Sequence, residues 1–190
     1  MGPPCHVDVS RAGSIFVELF SANSCIPAGI PSYWLQRDSA SADSGYMRAK
    51  VAQERLIAAS GLPYSLVHAT QFFEFLQGIV DAATDGDTVH LAPVLIQPMA
   101  ADDVAAAVAE VVVGVPTDGV VEVGGPEQFR LDELGRSTLA AQKDPRSVVS
   151  DPGARYFGAA LSERSLVPAD GARLAGTRLG DWRTRAAHGR

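Results

Sequence analysis

Tyr46 and Lys50 stand four residues apart at the front of the stretch YMRAKVAQERLIAASGLPYSLVHATQFFE, which runs from Tyr46 to Glu74. On a helix that spacing is one turn on one face, so a phenol and an ammonium group become neighbours. A free tyrosine titrates near pH ~10 and exchanges protons poorly at neutral pH. A lysine cation beside it favours the phenolate and draws its pKa towards the working range, which makes the pair an acid/base device. Two fixed letters do not choose between this chemistry and a surface tyrosine lying on a lysine stem. The choice rests on the elements that position the pair.

The apolar residues Met47, Val51, Ala52, Leu56 and Ala59 recur at three- and four-residue steps. They predict an amphipathic helix with these residues turned inward and Arg48, Gln53, Glu54 and Arg55 on its other faces. Asp43 or Ser44 can cap its start, and Ser60, Gly61 and Pro63 supply a left-handed exit and a block to continuation. Tyr64 to Ala69 is short, apolar and partly β-branched, as a strand buried in a parallel sheet should be. From Phe72 to Ala83 the pattern is helical again, and its phenylalanines can line a pocket or pack against the sheet. Helix, buried strand, helix is the repeating unit of a wound α/β fold.

Several segments in order carry a resemblance. The Tyr46-x-x-x-Lys50 pair, the Ala52-Gln53-Glu54 that follows, SGLPYSLVHATQFFEF and the later LIQPMAADDVAAAVAEVV resemble the NmrA-like group of atypical short-chain dehydrogenase/reductases, over about residues 43 to 185. The resemblance implies a Rossmann fold that binds NAD(P). It implies that Tyr46 is the catalytic acid/base, and that Lys50 lowers its pKa and holds the nicotinamide ribose. Thr70, Gln71 and Phe72 would lie beside the nicotinamide. Phe72 and Phe73 would face substrate, and Asp103 would close the substrate side of the site. His68 stands where relatives commonly carry an arginine. Two functions follow: an NAD(P)-dependent oxidoreductase acting on a small carbonyl or hydroxyl substrate, or a non-catalytic cofactor-sensing or protein-binding regulator, which many group members are.

The expected architecture is a partial Rossmann-like, mostly parallel sheet with a small C-terminal substrate lobe. Prolines and glycines punctuate residues 1 to 45 too closely for a wound βαβ unit, and no glycine-rich fingerprint occurs there. This segment is therefore expected to replace the nucleotide-binding half, with residues 46 to 190 as the C-terminal part of the domain. An inactive fragment is a third reading. The family also holds a Ser or Thr about a dozen residues before the tyrosine, where this chain has Tyr33, Trp34 and Leu35. The nearby serines read as loop.

Downstream, Asp85-Gly86-Asp87 predicts a turn and Thr88 to Leu91 a strand. Val94 to Met99 reads as another strand with Pro98 at its end or edge, and Asp102 and Asp103 as the capped start of a helix to about Val113. Val120 to Val123 then forms a strand that enters Gly124-Gly125-Pro126, which lacks the pattern of a phosphate loop. Leu131 to Gln142 reads as a helix, Ser147 to Ser150 as a last short strand, Trp182 as a packing residue and His188 as frayed. Glu74 and Asp81 are expected on a solvated helix face.

A length of 190 residues with 46% apolar composition supports one domain with a real core. The net charge of −6 argues against a general nucleic-acid or anionic-membrane surface. Two isolated cysteines, Cys5 and Cys25, make neither a disulfide framework nor a zinc site. The expected partners are a small-molecule substrate and a second copy or a regulatory protein, with no metal, in the cytoplasm.

Overall fold

The computed structural model describes residues 45–188, with side chains described from residue 51 onward. Cys5, Cys25 and the capping candidates Asp43 and Ser44 lie outside the described residues.

Helix α1 (Gly45–Ala59) is followed by a left-handed Gly61, φ 71°, a conformation that costs a residue without a Cβ nothing. Strand β1 (Ser65–Ala69) is buried almost throughout and pairs in parallel with β5 (Gly119–Gly124). The short β8 (Arg173–Leu174) extends the same parallel sheet on the far side of β5. Between β1 and β5 the chain makes a 3-10 turn (Phe73–Phe75), helix α2 (Leu76–Ala82) and the hairpin β2 (Thr84–Asp85) with β3 (Thr88–Leu91). Strand β4 (Leu95–Ile96) and helix α3 (Ala101–Val113) complete the crossover. The region after β5 contains β6 (Phe129–Arg130), α4 (Leu131–Gln142) and β7 (Ser147–Ser150), and the last described element is α5 (Leu179–His188). Among the described residues no helix is long and apolar enough to cross a membrane.

Two apolar clusters build the interior. Val67, Val121, Val123, Met99, Val104 and Val111 fill the space between α3 and one face of the β1/β5 sheet. A larger cluster joins Phe73, α2, β3, β4 and α4, with β3 and β7 parallel and in register from Thr88 opposite Ser147.

Several expectations change. The inward face of α1 is not the apolar stripe: Glu54 and Ile57 are buried, while Leu56 is 74% exposed and Ala52 and Ala59 lie at the surface. The sheet face opposite carries His68, and Glu54 satisfies that residue where leucine could not. The predicted strand from Val94 shrinks to Leu95–Ile96, because Pro98 has no N–H to offer a ladder. Helix α5 continues to His188, whose Nδ1 lies 2.7 Å from the Thr184 carbonyl oxygen.

The start of α3 is capped from elsewhere. Neither Asp102 nor Asp103 caps it; the flanking residue is Ala100, which has no side chain to do so. Glu74 takes that role from the preceding turn, its Oε2 accepting the Ala101 N–H at 3.1 Å and its Oε1 accepting the Trp182 indole N–H at 2.8 Å. Trp182 packs its ring 5.6 Å from that of Phe73. Asp81 likewise has a partner in Arg146, at 2.8 Å. Replacing Glu74 by alanine removes a helix cap and an indole acceptor together, and should lower stability by about 1–2 kcal/mol. A shifted urea midpoint with unchanged slope is the expected reading.

Candidate functional site

Ligands of open α/β sheets bind outside the carboxyl ends of the parallel strands. Here those ends are Ala69 of β1 and Gly124 of β5, and the residues that follow β1 are Thr70, Gln71 and Phe72. Thr70 is 1% and Gln71 3% exposed, yet among the described residues the Thr70 hydroxyl and both polar atoms of the Gln71 amide have no hydrogen-bond partner. Buried polar side chains nearly always find partners, and each one left unpaired costs about 1–3 kcal/mol. Three such atoms lie on adjacent residues just beyond the end of β1.

The backbone holds this corner tightly. Thr70 donates to the Val123 carbonyl at 3.1 Å; Met99 donates to Gln71 at 2.8 Å and Phe73 to Met99 at 2.9 Å. Phe72 forms a parallel bridge with Met99 and is half-buried, while Phe73 is fully enclosed. Of the two phenylalanines, Phe72 is the one with surface to offer a ligand. Phe73 belongs to the core.

The neighbouring strand end is kept low by glycine. A Cβ on Gly124 would sit 2.9 Å from Pro168 and 3.4 Å from the Thr70 methyl, and one on Gly125 would sit 1.8 Å from the Pro98 carbonyl oxygen. Gln97 locks the crossing, donating through Nε2 to the Gly125 carbonyl at 2.6 Å and accepting from Gln128 at 2.9 Å. From sequence, Gly124-Gly125-Pro126 reads only as a failed phosphate loop. Close approach of two backbones is its other meaning.

On the face of the sheet that carries His68, Glu54 of α1 reaches β1. Its Oε1 lies 3.1 Å from His68 Nε2, with both side chains under 10% exposed. Ile57 and Leu66, one helical turn and two strand residues nearer the connecting loop, are buried alongside. The helix therefore runs back along the strand. From Glu54, position 50 is about 6 Å and position 46 about 12 Å further along the helix axis at ~1.5 Å per residue. From His68, Thr70 is about 6.6 Å further along the strand at ~3.3 Å per residue. Position 50 thus comes level with Thr70, and position 46 level with the residues just beyond the strand. Positions 46, 50 and 54 share one helix face. The side chains of Tyr46 and Lys50 themselves lie outside the described residues.

Asp103 is not part of this corner. Side chains alternate along a strand, so His68 and the Val67/Val123 layer lie on opposite faces, and α3 covers the latter. There Asp103 lines a groove of about 170 Å³ between α3 and β8, with Glu110 and Arg173 at its edge. Its carboxylate accepts both the backbone N–H and the hydroxyl of Thr177, at 3.1 and 3.0 Å. It fastens the chain ahead of α5. Among the described residues no cluster of potential ligands could hold a metal ion.

Among solved structures similar to this chain, one shares its wound architecture. An NADPH-dependent quinone oxidoreductase, QOR2, from Escherichia coli superposes with a TM-score of 0.51 at 17% identity, over 75% of this chain and 62% of that one. The described residues have a partial Rossmann-like fold. MoeE5, solved with UDP-glucose and NAD, gives a TM-score of 0.48 at 19% identity over 76% of this chain and 56% of its own. A dTDP-4-dehydrorhamnose reductase from Clostridium acetobutylicum gives 0.45 at 15% identity, over 70% and 52% respectively. This chain spans less than two thirds of the length of each. No protein-family model matches it, and no curated protein sequence does.

Proposed function

We propose that the chain is a nicotinamide-dependent oxidoreductase of the atypical short-chain type, NmrA-like in kind, acting on a small carbonyl or hydroxyl compound. One observation carries the reading: three unpartnered polar atoms on Thr70 and Gln71, buried at the carboxyl end of β1. A primary amide with two donors and an acceptor complements another primary amide, and nicotinamide carries one. Thr70 adds a hydroxyl and Phe72 a half-buried aromatic surface beside it. A bound nicotinamide supplies or accepts the hydride. Tyr46, one helical turn from Lys50, supplies or accepts the proton at the substrate oxygen, and the lysine cation holds the phenol in a usable range. The described residues fit the nicotinamide end of the cofactor. The groove at Asp103 belongs to the packing of α5 and takes no step.

The test is a calorimetric titration of NADPH and NADH into the 190-residue chain, with Gln71→Leu beside it. Saturable binding by the parent chain, and a loss of about tenfold or more in the variant from one or two lost hydrogen bonds, are expected. The stability of the unliganded variant should move the other way or stay level, because leucine leaves no buried amide without partners. A variant that melts earlier and binds equally well would make Gln71 a structural residue. Tight binding with no turnover across a quinone and carbonyl panel would assign the chain to the cofactor-sensing reading.

A further inference from the structure

Glu54 and His68 join α1 to β1 by a buried polar contact, and the reaction above uses neither. A carboxylate under 10% exposed is tolerated only when paired. Its partner, His68, is also flanked by Glu122, the residue opposite it in the parallel register of β5. Glu122 is itself engaged, accepting the Ala169 N–H at 2.8 Å. The histidine therefore lies among acidic groups from helix and sheet.

The contact with Glu54 controls the helix in two ways. It sets the roll of α1, because residues at positions 46, 50 and 54 share a face and only one roll buries Glu54. It also sets the height of α1 along the strand, because His68 is two residues below Thr70. We infer that Glu54 and His68 are a positioning pair for Tyr46 and Lys50, holding that face of α1 at the level of the Thr70–Gln71 corner. This rests on the oxidoreductase reading above and adds two residues to it. Neither touches the reacting atoms.

Ultraviolet difference titration of the full chain against its Tyr46→Phe variant isolates the ionisation of one phenol. It needs no substrate. In the parent chain that component should appear at lower pH than an ordinary tyrosine. Tyr156, whose phenol is pushed up by complete burial, titrates later. Glu54→Gln and His68→Gln should each return the Tyr46 component to the ordinary range and weaken NADPH binding about tenfold, a modest value beside the hundredfold that a misplacement of about 1 Å can cost. His68→Arg, which keeps a hydrogen-bond donor opposite Glu54, should keep both properties. If the glutamine variants do not fold, His68→Arg decides alone: retention supports the pair, and loss in a folded protein overturns it. Folded glutamine variants with an unshifted phenol and unchanged NADPH affinity also overturn it. A parent chain with neither an early phenol nor NADPH binding overturns instead the oxidoreductase reading on which the pair depends.

Discussion

Tyr46→Phe is expected to reduce turnover by about 10²–10⁴-fold on any carbonyl or quinone compound the parent chain reduces, with NADPH affinity unchanged. The size follows from the role. Phenylalanine keeps the ring, and with it the packing and helical preference, and removes only the hydroxyl that exchanges the proton. In barrier terms this is about 3–5 kcal/mol. The loss should fall in kcat more than in KM, because proton transfer is made in the transition state and not on binding. Lys50→Met should shift the pH profile of what activity remains, since the phenol then loses the cation that favours its ionised form. Equal turnover in the tyrosine and phenylalanine proteins would be fatal to the acid/base role.

The second large effect is on stability. Gly125→Ala places a methyl group 1.8 Å from the Pro98 carbonyl oxygen, and the atom it meets is backbone, which cannot swing aside. The segment that must give way is already committed. Gln97 holds Gly125 through two hydrogen bonds, and Met99 holds Gln71 and Phe73 through two more. Overpacking of this kind costs about 3 kcal/mol, the upper end of the usual range. The urea midpoint should fall accordingly, and the displacement should reach Thr70 and Gln71 by way of Met99. The proposed nicotinamide binding should then fall along with stability. Gly61→Ala offers a contrast: nothing lies within 4 Å of the added atom, and only the left-handed backbone, φ 71°, resists it. A Gly125→Ala variant as stable as the parent would mean that the two backbones leave room for a side chain at this crossing.

Where the code was local, the residues could be read directly. Leu131–Gln142 and Ser147–Ser150 have the predicted bounds, the Asp85-Gly86-Asp87 turn lies at a hairpin, and the buried run after Pro63 is the parallel strand β1. Periodicity and turn chemistry need no knowledge of distant partners. The inward face of α1 did need it: Glu54 is buried because His68, fourteen residues later, receives it. Glu74 is exposed, as expected of a solvated carboxylate, but its bond to Trp182, 108 residues away, has no local sign. Asp103 looked like a cap or a substrate residue, and its partner Thr177 is 74 residues off. Gly125 was opaque for the same reason, since only the position of Pro98 reveals why no side chain fits. At the site, Thr70 and Gln71 were reached through family resemblance. The lack of partners for their polar atoms among the described residues emerges only once the strand ends are assembled.

The link from Glu74 to Trp182 has a consequence for biosynthesis. On a growing chain Glu74 and Phe73 emerge early, and the indole that donates one hydrogen bond and covers one ring follows 108 residues later. The same is true of β8, which joins the sheet from residue 173 onward. Until those segments leave the ribosome, the first-made half holds an uncovered aromatic ring and an open sheet edge, the surfaces on which nascent chains misassociate. Closure of this part of the domain waits for synthesis to pass α5.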